Sequence, residues 1–197
     1  MSLQEFFKDS VAAAMQKQGV AADDHTAYYV VNLLTLFARQ EALYERSKTG
    51  PGLQPLALLL AEAADAPDRE ARNAVLRRVG DTSLFVAGFL SDGFARKLVD
   101  VDYHIAMGGR AYGSLADSSR AAPRGRSIAG VFTELALKFR ELVDALNEIA
   151  DSARPPCHDD LLRLYELWIK TGSKRAAGRL RELGLEPTAA ARVRWSH

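Results

Sequence analysis

The segment from Ile128 to Ile149 constrains the fold more than any other part of this chain, because its apolar residues recur at alternating spacings of four and three. Such spacing places all of them on one face of a helix and matches a heptad repeat. We therefore predict one long helix here, packed along its length against another helix. This apolar seam consists of Ile128, Phe132, Leu135, Phe139, Leu142, Leu146 and Ile149.

Helical periodicity also marks the segment Ala27–Leu43, in which Val30, Leu33, Leu34 and Phe37 fall at i, i+3, i+4 and i+7. Further apolar residues, Tyr28 and Leu36 among them, extend this character around most of the helix and predict that it is buried. Proline and glycine cluster in short breaks between Ala- and Leu-rich stretches, which is typical of helices joined by loops. The chain is predicted to be all-α, a helical bundle of about seven or eight helices with these two segments at its centre.

Turn and capping residues predict the helix boundaries in the middle of the chain. Gly80 and the three polar residues after it favour the end of one helix near Val79 and the start of another at Leu84–Leu90. The next helix is expected from about Phe94 to Ala116.

Chain length favours a single domain, since 197 residues suffice for one hydrophobic core. We expect residues 1–155 to form the bundle core and residues 156–185 to form a C-terminal helical hairpin packed on it. Residues 186–197 would be a basic tail.

Charge and cysteine content limit the compartment and the function class. The net charge of +1 gives no whole-protein field for nucleic acid or an anionic membrane. A single cysteine, Cys157, cannot form an internal disulfide, which agrees with a reducing compartment. Neither a continuous signal-peptide core nor an apolar run long enough for a membrane span is present. A soluble, cytoplasmic protein is therefore expected.

The most unusual stretch is Val99–Ala116, because three glycines lie inside a predicted helix. Each glycine costs a helix about 1 kcal/mol relative to alanine, so we expect a neighbouring helix, a second subunit or a ligand to approach the backbone closely. These glycines are Gly108, Gly109 and Gly113.

The same stretch contains candidate ligand-binding residues. Asp100 and His104 are spaced i, i+4 and can touch on a helix, and a carboxylate beside a histidine can fix its tautomer and shift its titration. A small-molecule pocket would be lined by Asp100, Tyr103, His104, Arg110 and Tyr112. The alternatives are close helix packing and a surface ion pair.

Metal and anion sites were tested on residue spacing. No Glu-x-x-His or His-Glu-x-x-His motif is present and no second cysteine exists, so we predict no metal site and name no cofactor. Arg124 and Arg126 precede the predicted start of the seam helix, where free N–H groups favour anions. They form a candidate anion-binding site, although arginines in such loops are often simply solvated.

Positive charge is concentrated from Lys170 to His197, a segment with seven basic and two acidic residues and so a local charge of +5. Two predicted helices flank Thr171-Gly172-Ser173, and the second carries Lys174, Arg175 and Arg179, the outline of a helix-turn-helix. Nucleic-acid binding through these residues is one interpretation. Docking of the basic hairpin on the acidic remainder, or on a partner, is the favoured one.

Two segments together, VDVDYHIAMGGRAYGSLA (99–116) and LYELWIKTGSKRAAGRL (164–180), resemble an uncharacterised family of bacterial proteins of about 200 residues with no assigned function. The resemblance covers most of the chain. It implies a bacterial, cytoplasmic origin, and it carries no activity or site residue.

The function that the sequence favours is a non-enzymatic interaction or regulatory protein, expected to be a homodimer or to bind another protein. The long seam and the Ala/Gly stripe are two packing surfaces that exceed what one monomer needs to bury. A small-molecule-binding protein or enzyme with a pocket around Asp100–Tyr112 is the alternative. Nucleic-acid binding through the C-terminal hairpin and tail is the second alternative.

Overall fold

The computed structural model describes residues 2–46, 55–89, 101–122, 125–152, 161–182 and 184–185. In this part of the chain the secondary structure is entirely helical and the helices pack as a bundle, so the all-α prediction is confirmed. The helices are α1 (Leu3–Gln18), α2 (Asp24–Arg46), α3 (Leu56–Ala64), α4 (Arg69–Phe89), α5 (Val101–Arg120), α6 (Arg126–Leu137), α7 (Phe139–Ser152), α8 (Leu161–Thr171) and α9 (Lys174–Glu182).

Helix α1 has well-defined ends that its sequence encodes. Ser2 and Glu5 form a capping box, in which the Ser2 hydroxyl accepts from the Glu5 amide and the Glu5 carboxylate accepts from the Ser2 amide. Gly19 ends the helix at φ 65°, a left-handed conformation that favours glycine. The buried side of α1, which includes Phe7 and Val11, packs on α2 and α7.

Helix α4 is the central element, in contact with α2, α3, α5 and α7. It is one continuous helix, so the predicted boundary at Gly80 is wrong. A Cβ atom on Gly80 would lie 2.6 Å from Cε1 of Tyr112, and one on Gly88 would lie 2.6 Å from Cβ of Leu146. Both glycines therefore allow close packing of α4 against α5 and α7, and neither ends a helix.

The apolar seam belongs to two helices, α6 and α7, so the prediction of one long helix is also wrong. The helix breaks at Lys138, which has φ −105° and ψ 18° and whose ammonium group binds the Ala21 carbonyl and Glu134. Six of the seven seam residues are nevertheless buried in the main core, and only Ile128 is exposed. The seam is buried within the monomer.

The three glycines of α5 have different surroundings. A Cβ atom on Gly108 would overlap the ring of Phe139 and the side chain of Ser83, so the expected close approach is confirmed there. A Cβ atom on Gly109 would lie at an ordinary contact distance, 3.7 Å, from the Ala136 carbonyl oxygen. A Cβ atom on Gly113 would have no neighbouring atom within 4 Å. Only one of the three is required by packing among the described residues.

Helices α8 and α9 form a hairpin with its own small apolar cluster, which includes Leu164, Trp168 and Leu180. The buried carboxylate of Asp144 in α7 binds the start of α9, accepting from the Ser173 hydroxyl at 2.6 Å and from the Lys174 amide at 3.2 Å. The predicted tail at 186–197 lies outside the described residues.

Membrane insertion was tested on the described helices. None of them combines the length and apolar character needed to span a bilayer.

Candidate functional site

A partly buried carboxylate lies where α2, α4 and α5 meet. Asp81 of α4 accepts two hydrogen bonds at the same oxygen, Oδ1, one from the Tyr29 hydroxyl of α2 at 2.6 Å and one from the Tyr112 hydroxyl of α5 at 2.7 Å. Helix packing brings these residues together from positions 52 and 31 residues apart in the chain.

Arg77 completes this group, which we call the Asp81 network (Tyr29, Arg77, Asp81 and Tyr112). It precedes Asp81 by four residues, so the two side chains share a face of α4. Its Nε donates to the Tyr29 hydroxyl at 3.0 Å and lies 3.8 Å from Asp81 Oδ2. The guanidinium also lies 5.1 Å from the centre of the Tyr29 ring, within cation–π range.

Burial determines the protonation of the network. It raises the pKa of Asp81, against the lowering effects of the two tyrosine hydrogen bonds and the Arg77 charge. Burial and the negative charge of Asp81 raise the pKa of Tyr29 and Tyr112 as well. Both hydroxyls therefore stay protonated and act as donors, and Oδ1 of Asp81 is occupied by them.

Aromatic rings surround the network and extend it to two more helices. The Tyr112 ring stacks on Phe132 of α6 at a centroid distance of 5.9 Å and lies at the same distance from Phe139 of α7. It also meets the Tyr29 ring edge-on at 6.3 Å. The arrangement holds five helices together, which is a structural role. Sequence reasoning missed it because only the fold brings Tyr29, Arg77 and Asp81 together with Tyr112.

The four described residues of the predicted small-molecule pocket differ in their exposure to solvent. Tyr112 and His104 are buried, Tyr103 and Arg110 are exposed, and Asp100 lies outside the described residues. The rings of Tyr103 and His104 are in edge contact at 6.2 Å. The pocket around Asp100–Tyr112 stays a prediction.

His104 is a buried titratable group with an unsatisfied atom. Its Nδ1 is buried and has no hydrogen-bond partner in the described part of the chain. Burial lowers the pKa of the imidazole below its ordinary value of 6.5, which favours the neutral form.

A groove of about 700 Å³ lies between the start of α2, the end of α5 and the exposed side of α6. Arg126 is exposed on this groove at the first turn of α6, whose N-cap residue Gly125 makes no side-chain capping bond. Arg120, also on the groove, already binds Asp117 and Thr133. Arg124 lies outside the described residues, so the anion site stays a prediction that rests on Arg126.

The three residues proposed to bind nucleic acid have unequal access. Lys174 is exposed at the start of α9. Arg179 is also exposed, and its Nη1 lies 3.5 Å from Oε2 of Glu182. The Arg175 side chain is only 8% exposed and forms an ion pair with Asp151 of α7. Arg175 therefore links α9 to α7. Nucleic-acid binding stays a prediction.

The described residues contain no group of three or more histidine, cysteine, aspartate or glutamate side chains placed to hold a metal ion. Cys157 and His158 lie outside this part of the chain.

Large apolar side chains are exposed along the outer side of α2 and the start of α1. Tyr28 is 60% exposed and Leu36 is 55% exposed, although their sequence context predicted burial. Between them, Asn32 accepts a hydrogen bond from Gln4 Nε2 at 3.2 Å, which brings the start of α1 beside this row. We call this surface the interaction face and define it by Leu3, Phe6, Tyr28, Asn32 and Leu36.

Comparison with known proteins places this chain in no family. Neither a family model, nor a curated protein, nor a solved structure matches it.

Proposed function

We propose that this protein is a non-enzymatic helical interaction protein and that it binds its partner through the interaction face. The observation that carries the proposal is the pair of exposed side chains Tyr28 and Leu36 on one side of α2, with Leu3 and Phe6 of α1 also exposed. Single exposed apolar residues are ordinary on protein surfaces, whereas a group of them on one surface is typical of binding sites.

The chemistry of the interaction face suits a protein partner. Tyrosine is enriched at protein interfaces because its ring supplies apolar area while its hydroxyl remains able to hydrogen-bond. Asn32 supplies an amide in the middle of the row, and its Nδ2 group donates to none of the described residues. An apolar row with a central polar group provides both contact area and a specific orientation.

The internal polar groups support a non-enzymatic role. Oδ1 of Asp81 is occupied by two tyrosine hydroxyls, and both carboxylate oxygens of Asp144 bind the start of α9. Among the described carboxylates, these two have a pKa that is raised overall, chiefly by burial, which is the usual signature of a general acid, and both are used in packing helices together.

The proposal is tested by co-purification from cells that express Leu36→Lys. Leu36 and Leu58 of α3 are exposed to the same extent, 55% and 56%, so Leu58→Lys is a matched control outside the interaction face. We expect Leu36→Lys to abolish stable association with other chains, whether copies of itself or another protein, because the ammonium group would be buried against an apolar partner.

Leu58→Lys is expected to associate as the wild-type protein does. Equal recovery of associated chains with Leu36→Lys and with the wild-type protein would refute the proposal. Circular dichroism of both variants verifies that each retains its helical fold.

A further inference from the structure

We infer that the partner of the interaction face is a second copy of this chain, paired antiparallel on α2 about a two-fold axis at Asn32. The inference rests on the proposed function and goes beyond it, because it names the partner and fixes the register of the two helices.

The order of residues along α2 is symmetric about Asn32. Tyr28 and Leu36 lie four residues before and after it, so the row is apolar, amide, apolar over about 12 Å of helix. In an antiparallel pair centred on Asn32, Tyr28 of one copy lies beside Leu36 of the other. A two-fold interface requires a surface that is complementary to itself, and this row has that property.

Asn32 lies on the two-fold axis in this arrangement and meets the same residue of the second copy. A primary amide is suited to this position because it carries both a donor and an acceptor and can hydrogen-bond to an identical group. Oδ1 accepts from Gln4 with one of its two lone pairs, so its second lone pair and the Nδ2 group are the acceptor and the donor for the second copy.

Charges at the two ends of the row select the antiparallel direction. Asp24 lies eight residues before Asn32, Arg39 lies seven residues after it, and both are exposed. In the antiparallel pair, Asp24 of each copy lies beside Arg39 of the other. A parallel pair would instead place Asp24 beside Asp24 and Arg39 beside Arg39, and like charges brought together at an interface oppose binding.

The side of the row formed by α1 enlarges the surface. Leu3 and Phe6 are partly exposed next to Gln4, which itself binds Asn32. They add apolar area beside the α2 pair, and each copy supplies them to the same interface by symmetry.

The charge pair is tested by measuring the dimer dissociation constant of full-chain variants in sedimentation equilibrium. Asp24→Arg alone and Arg39→Asp alone should each weaken the dimer by about tenfold, because each creates a like-charge contact in both symmetry-related positions. The double variant Asp24→Arg, Arg39→Asp restores opposite charges across the interface and should recover most of the wild-type affinity. Thermal unfolding of each variant controls for loss of fold.

The possible outcomes separate this inference from the proposed function. Recovery in the double variant supports the antiparallel register. Weakening in both single variants without recovery in the double variant overturns that register. A wild-type protein that is monomeric throughout, while Leu36→Lys loses a different associated protein, overturns the second copy as partner and leaves the proposed function standing.

Discussion

The hydroxyl of Tyr112 makes one of the two hydrogen bonds to Asp81 Oδ1, in a site where the tyrosine side chain is fully buried. Tyr112→Phe removes this donor and keeps the ring that packs on Phe132. A hydrogen bond to a carboxylate is worth somewhat more than a neutral one, so we expect the free energy of unfolding to fall by about 1–2 kcal/mol.

Tyr28→Phe is the matched control for this change, since the Tyr28 side chain is largely exposed and its hydroxyl bonds to no described residue. Chemical denaturation of the two variants measures the difference. Equal stability of Tyr112→Phe and the wild-type protein would show that the Asp81 network does not stabilise the fold.

His104 should make the stability of the protein sensitive to acid. The unfolded chain takes up a proton at this residue near pH 6.5, whereas burial lowers the pKa of His104 in the folded protein. The unfolded state therefore binds more protons below that pH, and stability is predicted to fall as the pH decreases through this range. His104→Phe should reduce the slope of unfolding free energy against pH.

The control is His25→Gln, which replaces an exposed histidine at the start of α2. Denaturation curves recorded on both sides of pH 6.5 give the comparison. If His104→Phe and the wild-type protein have the same slope, the buried imidazole is not the acid-sensitive group.

Two glycines of α5 provide a test of helix packing at the scale of one element. A Cβ atom on Gly108 would overlap the Phe139 ring, whereas a Cβ atom on Gly113 would have no neighbouring atom within 4 Å. Gly108→Ala should lower the free energy of unfolding by about 1–3 kcal/mol through overpacking. Gly113→Ala should stabilise by up to about 1 kcal/mol, because alanine favours the helix and nothing obstructs it.

Thermal or chemical unfolding measures the stability of both variants. The comparison is matched because both substitutions add the same methyl group to the same helix. Stabilisation by Gly108→Ala would contradict the close approach of α5 to Phe139, and destabilisation by Gly113→Ala would contradict the open space beside it.

Within single helices, the periodicity of the apolar seam predicted which side chains are buried better than it predicted where the helices begin and end. Six residues of the apolar seam are buried as their spacing indicates, because the side that faces the core depends on local periodicity. The Lys138 side chain at the break binds the Ala21 carbonyl, 117 residues away in the chain, and no local pattern reveals this contact or the break. Gly80 was misread for a related reason, since its contact is with Tyr112 of another helix.

At the level of the whole molecule, composition and periodicity predicted the helical class correctly, but the candidate surface came only from the structure. Apolar residues lie around most of the circumference of α2, so its sequence predicts that Tyr28 and Leu36 are buried. Which side of a helix the other helices cover is decided by tertiary packing. The predicted basis for a dimer also changed, because the seam is buried within the monomer and the interaction face lies on α1 and α2.

The outer side of α2 is proposed as a binding surface for a second copy. Sedimentation velocity of the full chain across micromolar concentrations, with Leu36→Lys beside the wild-type protein, measures this association. We expect a wild-type sedimentation coefficient that rises from monomer to dimer with concentration, and a Leu36→Lys protein that stays monomeric. A wild-type protein that stays monomeric, or a Leu36→Lys dimer of unchanged affinity, would contradict it.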